Sequence, residues 1–351
     1  MTEISNVQRP FLEVSDLAVQ FPTEDGIVHA VDGVSFSIER GQTLAIVGES
    51  GSGKSVTAQA VMGLINKRNA DVSGQAIFDG EDLVAMSDEG LRKLRGSKMA
   101  MIFQDPMSSL HPFYRIGDQL TEAVNAHHKV SKADARERAI EMLHKVGIPL
   151  PAKRFDDYPH QFSGGMRQRV MIAMALINSP SLLIADEPTT ALDVTVQAQI
   201  IELISQLQQE FDTAVILITH DLGIVAEVAD EVAVMYGARI VERGSVDDIF
   251  YHPQMPYTLG LLASVPRLNE VRSDRLDPIP GNPPSPIRLP AGCVFNPRCA
   301  HQDQVADDLC RTVRPALQNV GPAHQVRCHL PATERQAAAD LTLSLLGRPG
   351  R

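Results

Sequence analysis

The sequence has no long apolar run, no excess of basic residues and few cysteines. Its longest apolar runs, such as residues 170–177, are far below the ~20 residues that a membrane-spanning helix needs. Residues 1–5 lack the basic-then-apolar pattern of a secretory signal. The 351 residues carry 32 basic and 43 acidic side chains, a formal net charge of −11, which disfavours broad electrostatic binding of nucleic acid. We therefore expect a globular cytosolic protein that binds no nucleic acid and reaches a membrane only through a partner.

The cysteines are confined to the C-terminal part of the chain, at Cys293, Cys299, Cys310 and Cys328. This clustering indicates that they act together, and a reducing cytosol disfavours disulfides. The gaps between them are 5, 10 and 17 residues, so the close pairs typical of structural zinc are absent. The gaps also differ from the common ferredoxin spacing. The residues alone leave an iron–sulfur cluster, a zinc ion and free thiols open.

A glycine-rich segment joins an apolar, strand-like run at residues 43–47 to a helix-compatible run. Residues 48–55 have the pattern Gly-x-x-x-x-Gly-Lys-Ser of a phosphate-binding loop. Glycines bare the backbone N–H groups to a polyphosphate, and the helix that follows aims its positive dipole end at the same place. Lys54 is suited to the β- and γ-phosphates and the Ser55 hydroxyl to Mg²⁺. The alternative is a strand-to-helix turn without a ligand. We predict a nucleotide site formed by Gly48, Ser50, Gly51, Ser52, Gly53, Lys54, Ser55 and Thr57.

Strand-like and helix-like runs alternate through the first 250 residues. Residues 11–39 alternate between apolar and polar side chains, as antiparallel strands with one buried face do. Short continuous apolar runs at residues 181–185 and 214–219 are typical of parallel strands buried on both faces. We predict an α/β fold with a phosphate-loop NTPase core, a mainly parallel sheet, an antiparallel β subdomain and a helical subdomain at about residues 105–180.

Prolines become frequent after about residue 250. Together with the cysteines, they predict a small Cys/Pro-rich C-terminal domain at residues 251–330 after an ATPase-like domain at residues 1–250. Nothing in the sequence fixes residues 331–351 to a core, so we expect a flexible tail there.

Several predicted strands end in residues suited to phosphoryl transfer. Ligands of open parallel sheets bind at the carboxyl ends of the strands, where Gly48, Asp186 and His220 would meet. Asp186 is suited to hold Mg²⁺, Glu187 to orient or polarise an attacking water, and His220 to contact the γ-phosphate. Gln104 ends a fourth strand and would reach the metal or the water. The alternatives are a helix-capping role for the acidic pair and a structural role for the histidine.

These positions resemble the ATP-binding subunits of ABC transporters. The matching segments are residues 48–55, Gln104, Ser163-Gly164-Gly165-Met166, residues 182–187, Ala191-Leu192-Asp193 and His220. The resemblance implies ATP as the nucleotide and two domains paired head to tail, with Ser163, Gly164 and Gly165 facing the γ-phosphate held by the partner. It also implies that Asp193 is a nucleotide-binding residue. The family usually has Gln at the position of Met166, and the methionine of this chain lacks the polar contact that the Gln side chain would make. Phe21 resembles the aromatic residue that stacks on adenine, with a core phenylalanine as the alternative.

The C-terminal residues narrow the resemblance to oligopeptide/dipeptide importers, through residues 252–262 and 292–299. This implies an ATPase that powers uptake of di- or oligopeptides from the cytoplasmic face of the inner membrane. The implied partners are a second related ATPase subunit, two permease subunits and an extracytoplasmic substrate-binding protein. The resemblance also implies a structural [4Fe–4S] cluster on Cys293, Cys299, Cys310 and Cys328. Import of another solute, such as nickel or glutathione, and a regulatory subunit with little hydrolysis remain alternatives.

Overall fold

Two sheets form the scaffold of the molecule. The computed structural model describes residues 10–105, 109–190, 192–264 and 279–347. Within these ranges the strands are β1 (Leu12–Thr23), β2 (Gly26–Ile38), β3 (Thr43–Val47), β4 (Asp71–Phe78), β5 (Glu81–Asp82), β6 (Met99–Ile102), β7 (Leu182–Asp186), β8 (Ala214–Ile218), β9 (Glu231–Tyr236), β10 (Arg239–Ser245), β11 (Gln318–Asn319) and β12 (Gln325–Val326).

The larger sheet has the strand order β11-β12-β10-β9-β3-β8-β7-β6. The run from β9 to β6 is parallel, whereas β10, β12 and β11 are antiparallel additions at one edge. Every residue of β3, β7 and β8 is buried, which explains why these strands are continuous apolar runs. Because β3, β6, β7 and β8 are parallel, their carboxyl ends lie at one edge of the sheet. The predicted α/β class is confirmed.

The smaller sheet is antiparallel, with the order β2-β1-β4-β5. Its alternating apolar side chains pack on the larger sheet, and Leu12, Val14 and Leu17 are almost fully buried in the shared core. This sheet is the predicted antiparallel subdomain.

The α-helices surround the larger sheet. Their bounds are Lys54–Val61, Asp88–Leu94, Ile116–Asn125, Lys132–Lys145, Pro151–Arg154, Gly164–Leu176, Val194–Phe211, Leu222–Val228, Val246–Tyr251, Pro256–Ala263, Leu309–Thr312 and Ala332–Leu345, with 3₁₀ turns at Pro159–Gln161, Asn296–Arg298, Gln302–Gln304 and Ala306–Asp308. None of the described helices is long and apolar enough to cross a bilayer.

Helices fill the segment between β6 and β7, as the helical periodicity predicts. Ser131 begins the helix Lys132–Lys145 with a capping box, since its hydroxyl accepts from Asp134 N and the Asp134 carboxylate accepts from Ser131 N. Leu120, Leu143 and Val170 come from three helices of this segment and are fully buried in one cluster. The segment therefore has a core of its own that continues into the adjoining face of the larger sheet.

The C-terminal residues pack directly against the larger sheet. Tyr236 of β9 meets the rings of Tyr257 and Phe295 at centroid distances of 4.5 and 5.3 Å. Val294 and Leu330 belong to the same buried cluster. The region past residue 250 therefore shares a core with the sheet.

The expectation of a loose tail is wrong for residues 332–345, which form a helix. Its Arg335, Ala339 and Leu343 are buried, and they are spaced to lie on one helical face. Arg335 Nη1 donates to the Leu330 carbonyl at 2.8 Å. These contacts hold the helix to the fold, and residues 348–351 lie outside the described ranges.

Candidate functional site

The loop between β3 and the helix Lys54–Val61 requires glycine for two different reasons. Gly48 and Gly53 have φ of +152° and +104°, and a Cβ atom there would lie 2.1 Å from the Met235 carbonyl oxygen and 2.4 Å from that of Ala30. Gly51 has φ of +76° but faces open space. The first two glycines permit close packing of backbones, and Gly51 permits only the left-handed conformation.

Lys54 is buried and folds back over the loop. Its Nζ donates to the carbonyl oxygens of Gly48 at 2.8 Å and Glu49 at 3.0 Å. Burial lowers the pKa of Lys54, although Glu187, Asp186 and Glu49 oppose that shift. A desolvated ammonium group beside the backbone of a glycine-rich loop is suited to hold a polyphosphate.

Ser55 and Asp186 bring two strand ends together. The Ser55 hydroxyl donates to Asp186 Oδ1 at 2.9 Å. Burial raises the pKa of Asp186, and the hydrogen bond from Ser55 opposes this. A carboxylate that is costly to ionise beside a hydroxyl provides the hard oxygen ligands that Mg²⁺ prefers.

Three polar side chains converge on Glu187. Gln104 Nε2 and Thr190 Oγ1 donate to Glu187 Oε2 at 3.0 and 2.8 Å, and His220 Nδ1 lies 3.6 Å from Glu187 Oε1. Glu187 has φ of +46°, and its N–H donates to the Ile218 carbonyl of β8. The structure therefore brings Gln104, Glu187 and His220 to the sheet edge that carries the phosphate loop.

Three other predicted nucleotide ligands have contrasting environments. Thr57 is fully buried, and its hydroxyl donates to the Gly53 carbonyl at 2.9 Å, so it supports the loop from behind. Ser50 is exposed on the loop. Phe21 is half-buried in β1 opposite Val28 and packs on the core of the two sheets. Adenine stacking by Phe21 stays a prediction.

The segment that begins the helix Gly164–Leu176 lies on the helical subdomain. Ser163 and Gly164 are exposed, and Ser163 Oγ caps the helix by accepting from Met166 N at 3.3 Å. Asp193 caps the helix Val194–Phe211 in the same way, accepting from Val196 N at 3.0 Å. Ala191, which precedes Asp193 in the matched segment, lies outside the described residues.

Sequence reasoning missed several contacts of the loop. Glu49 N donates to the Tyr257 hydroxyl at 2.9 Å, and the Glu49 carboxylate pairs with Arg298. Thr190, which binds Glu187, also escaped notice. Arg298 lies 249 residues from Glu49, and no spacing rule connects positions so far apart.

The expectation of a [4Fe–4S] cluster is wrong. The described ranges include Cys293, Cys299, Cys310 and Cys328, and they contain no group of three or more His, Cys, Asp or Glu side chains placed to hold a metal ion. All four are free cysteines. Burial raises the pKa of Cys293 to about 11 and of Cys328 to about 12. Cys293 and Cys328 instead pack as small apolar side chains in the core shared with β9.

The phosphate loop on a central parallel strand, an acidic pair and a histidine on adjacent strand ends, and the inserted helices together define an ATP-binding cassette. Residues 31–190 match the family model described as ABC transporter, and residues 241–305 match that of the oligopeptide/dipeptide transporter C-terminal region. The chain belongs to the ATP-binding proteins of the oligopeptide/dipeptide ABC transporters.

The relatives agree over nearly the whole chain. The oligopeptide transport ATP-binding protein OppD of Bacillus subtilis is 52% identical, over 91% of this chain and 88% of its own length. The dipeptide transport ATP-binding protein DppD of the same organism is 53% identical, over 91% and 94%. The solved ATP-binding cassette MJ0796, a dimer bound to ADP and Pi, has a TM-score of 0.60 and 25% identity, over 67% of this chain and 98% of its own.

Proposed function

We propose that this protein is the ATP-hydrolysing subunit of an importer that takes up di- or oligopeptides. The names and the near-complete coverage of the relatives support the peptide substrate. In this proposal residues 1–250 bind and hydrolyse ATP, and residues 251–330 form a C-terminal domain specific to this branch. The observation that carries the enzymatic part is the convergence of Gln104, Thr190 and His220 on Glu187.

The residues of the loop fit a magnesium nucleotide. The Ser52 hydroxyl is buried and has no hydrogen-bond partner among the described residues, as expected of a group that awaits a ligand. ATP would be held by Gly48, Ser50, Gly51, Ser52, Gly53, Lys54 and Ser55, with Phe21 toward the base. Ser55, Asp186 and Gln104 would hold Mg²⁺, which when bound neutralises phosphate charge.

Glu187 orients the attacking water in this scheme. Gln104 and Thr190 both donate to Glu187 Oε2, which fixes the orientation of the carboxylate. The other oxygen, Oε1, then lies on the side of His220. His220 is the side chain suited to contact the γ-phosphate. Positioning of this kind provides most of the catalysis in phosphoryl transfer.

We further propose a head-to-tail pair with a second, related ATPase subunit. The exposure of Ser163 and Gly164 at a helix N-terminus supports this, because free N–H groups there can meet a phosphate bound by a partner. Gly165 would lie at the same interface, and Asp193 would be a further nucleotide-binding residue. The remaining partners would be two permease subunits and an extracytoplasmic substrate-binding protein, with this subunit peripheral at the cytoplasmic face of the inner membrane and no nucleic acid bound.

Reconstitution of the assembled transporter in vesicles tests the proposal. Peptide-stimulated ATP hydrolysis and uptake should both be lost in Lys54→Ala, whereas Glu187→Gln should keep Mg-ATP binding and lose hydrolysis by about 10²–10⁴-fold. Uptake of nickel or glutathione, without uptake of peptides, would show that the proposed peptide substrate is wrong. Unchanged transport in Glu187→Gln would instead favour a regulatory subunit with little hydrolysis of its own.

A further inference from the structure

Arg298 of the C-terminal region reaches into the phosphate loop. Its Nη1 lies 2.6 Å from Glu49 Oε2, and its Nη2 lies 3.1 Å from Glu49 Oε1, the two-pronged geometry of the strongest ion pairs. Only 4% of the Arg298 side chain is exposed, compared with 27% of Glu49. The pair is therefore sheltered from the screening that weakens surface ion pairs.

The guanidinium group is fixed by the residues around it. Its Nε donates to the Pro280 carbonyl at 2.8 Å, Nη2 to the Ile279 carbonyl at 3.0 Å and Nη1 to the Tyr236 hydroxyl at 3.2 Å. Arg298 is thus held by the C-terminal segment and by β9 at once. A side chain locked in this way sets the position of its partner.

The same C-terminal segment also contacts the hairpin of β1 and β2. His29 N of β2 donates to the Pro286 carbonyl at 2.9 Å, and Ile287 lies against Gly26. This hairpin includes Phe21, the residue predicted to meet adenine. Residues 279–298 therefore contact both the phosphate loop and the hairpin that carries Phe21.

A carboxylate at position 49 is unfavourable for a loop that binds polyphosphate. The backbone carbonyl of Glu49 accepts from Lys54 Nζ at 3.0 Å. The negative side chain of Glu49 therefore belongs to a residue that directly contacts the ammonium group expected to bind the phosphates. The negative charge of the Glu49 carboxylate would repel the negatively charged phosphates, and this repulsion grows as water is excluded. The Arg298 guanidinium offsets that charge and fixes the loop at the same time.

We propose that Arg298 is a positioning residue of the nucleotide site, which neutralises Glu49 and makes the affinity for Mg-ATP depend on the C-terminal segment. The inference rests on the proposed ATP binding and adds a role for a region outside the ATPase domain. Arg298 acts through Glu49 and does not touch the nucleotide.

The experiment compares Arg298→Met, Glu49→Gln and the double variant in the full-length protein. The dissociation constant of Mg-ATP is measured by titration calorimetry. Arg298→Met should weaken binding by about 10-fold or more, because Glu49 is left without its counter-charge. Adding Glu49→Gln to Arg298→Met should restore affinity to within about 3-fold of wild type, a rescue that a purely structural role of Arg298 would not give.

Arg311→Met is the matched control. Arg311 is an exposed arginine of the same region that pairs with Asp303 and Asp308. Its replacement should leave the affinity unchanged. Arg298→Lys keeps the positive charge but cannot make the two-pronged contact, so its affinity for Mg-ATP should lie between those of wild type and Arg298→Met. This variant provides the test if Arg298→Met does not fold.

Two results would overturn the inference. One is wild-type affinity in a folded Arg298→Met protein, and the other is a double variant that binds as weakly as Arg298→Met alone. Thermal unfolding of each variant shows whether it is folded. If the wild-type protein itself does not bind Mg-ATP, the proposed function fails first, so the two failures can be distinguished.

Discussion

Gln104 Nε2 donates to Glu187 Oε2 at 3.0 Å, so a side chain two residues past β6 holds the carboxylate that directly follows β7. Gln104 is also the start of the chain that enters the helical subdomain. We expect a displacement of that subdomain to be felt at Glu187 through this hydrogen bond. This contact offers a direct route from a partner bound to the helices to the hydrolytic centre.

We expect Gln104→Ala to lower ATP hydrolysis in the assembled complex by about 10-fold, because Glu187 loses one of two donors that orient it. Mg-ATP binding should weaken less than hydrolysis. Steady-state kinetics that separate kcat from KM provide the measurement. Gln206→Ala, on the exposed face of the helix Val194–Phe211, is the control, and equal loss in both variants would contradict the role given to Gln104.

Asp186 should make the ligand-free protein less stable at neutral pH. Burial raises the pKa of Asp186 above its ordinary 3.8. Between 3.8 and the raised pKa, the folded state therefore binds more protons than the unfolded chain, so the free energy of unfolding falls as the pH rises through that range. Asp186→Asn keeps an acceptor for Ser55 without the charge. Its melting temperature at pH 7.5 should exceed that of wild type by about 1–3 °C.

The melting-temperature gain of Asp186→Asn should shrink as the pH is lowered toward 4. Adding Mg-ATP should stabilise wild type more than the variant, since Asp186 then has a cation. Scanning calorimetry over a pH series tests both statements. A gain that is independent of pH would show that the charge of Asp186 is not its cause.

The glycines of the phosphate loop should differ in tolerance. Gly53→Ala would place a Cβ atom 2.4 Å from the Ala30 carbonyl oxygen, so the backbone must move and nucleotide binding should be lost. Gly51→Ala meets no atom within 4 Å and should cost only about 1–2 kcal/mol for the left-handed conformation. Denaturant unfolding and nucleotide titration of the two variants distinguish them, and equal damage would contradict this account.

Glu242 should contribute strongly to stability. It is fully buried and accepts from Gln254 N, Met255 N at 3.1 Å and His324 Nε2 at 2.8 Å. Glu242→Ala leaves these buried donors without an acceptor, at about 1–3 kcal/mol each, so the free energy of unfolding should fall by at least 3 kcal/mol.

The exposed Glu334 provides the control for Glu242. Glu334→Ala should change the free energy of unfolding by less than about 0.5 kcal/mol. Urea unfolding followed by circular dichroism measures both variants. A loss below 1 kcal/mol in Glu242→Ala would show that its neighbours find other acceptors.

The sequence was informative where local pattern determines structure. The runs that became β7 and β8 are fully buried strands, so their apolar character alone located them, and the parallel order then placed Asp186 and His220 near the loop. Ser163 caps the helix Gly164–Leu176 by accepting from a backbone N–H only three residues further on. These predictions succeeded because the hydrogen-bond partners lie within a few residues or on adjacent strand ends.

The errors concern contacts between distant positions. Glu49 and Arg298 are joined only by the tertiary fold, and the spacing of the cysteines contains no information about where their side chains point. The helix Ala332–Leu345 was recoverable, since Arg335, Ala339 and Leu343 recur every four residues. The buried face of this helix combines Arg335 and Ala339 with Leu343, so no strongly apolar stripe marks it in the sequence.

The short hairpin of β11 and β12 lies along β10, the last strand of the larger sheet that comes from the first 250 residues. Without it, the backbone donors and acceptors of Glu242 and Arg243 on that side would face solvent as a template for another chain. Truncation at residue 250 should therefore yield a protein that self-associates through the exposed edge of β10, independently of any effect on ATP hydrolysis. The C-terminal region thus doubles as a guard against aggregation.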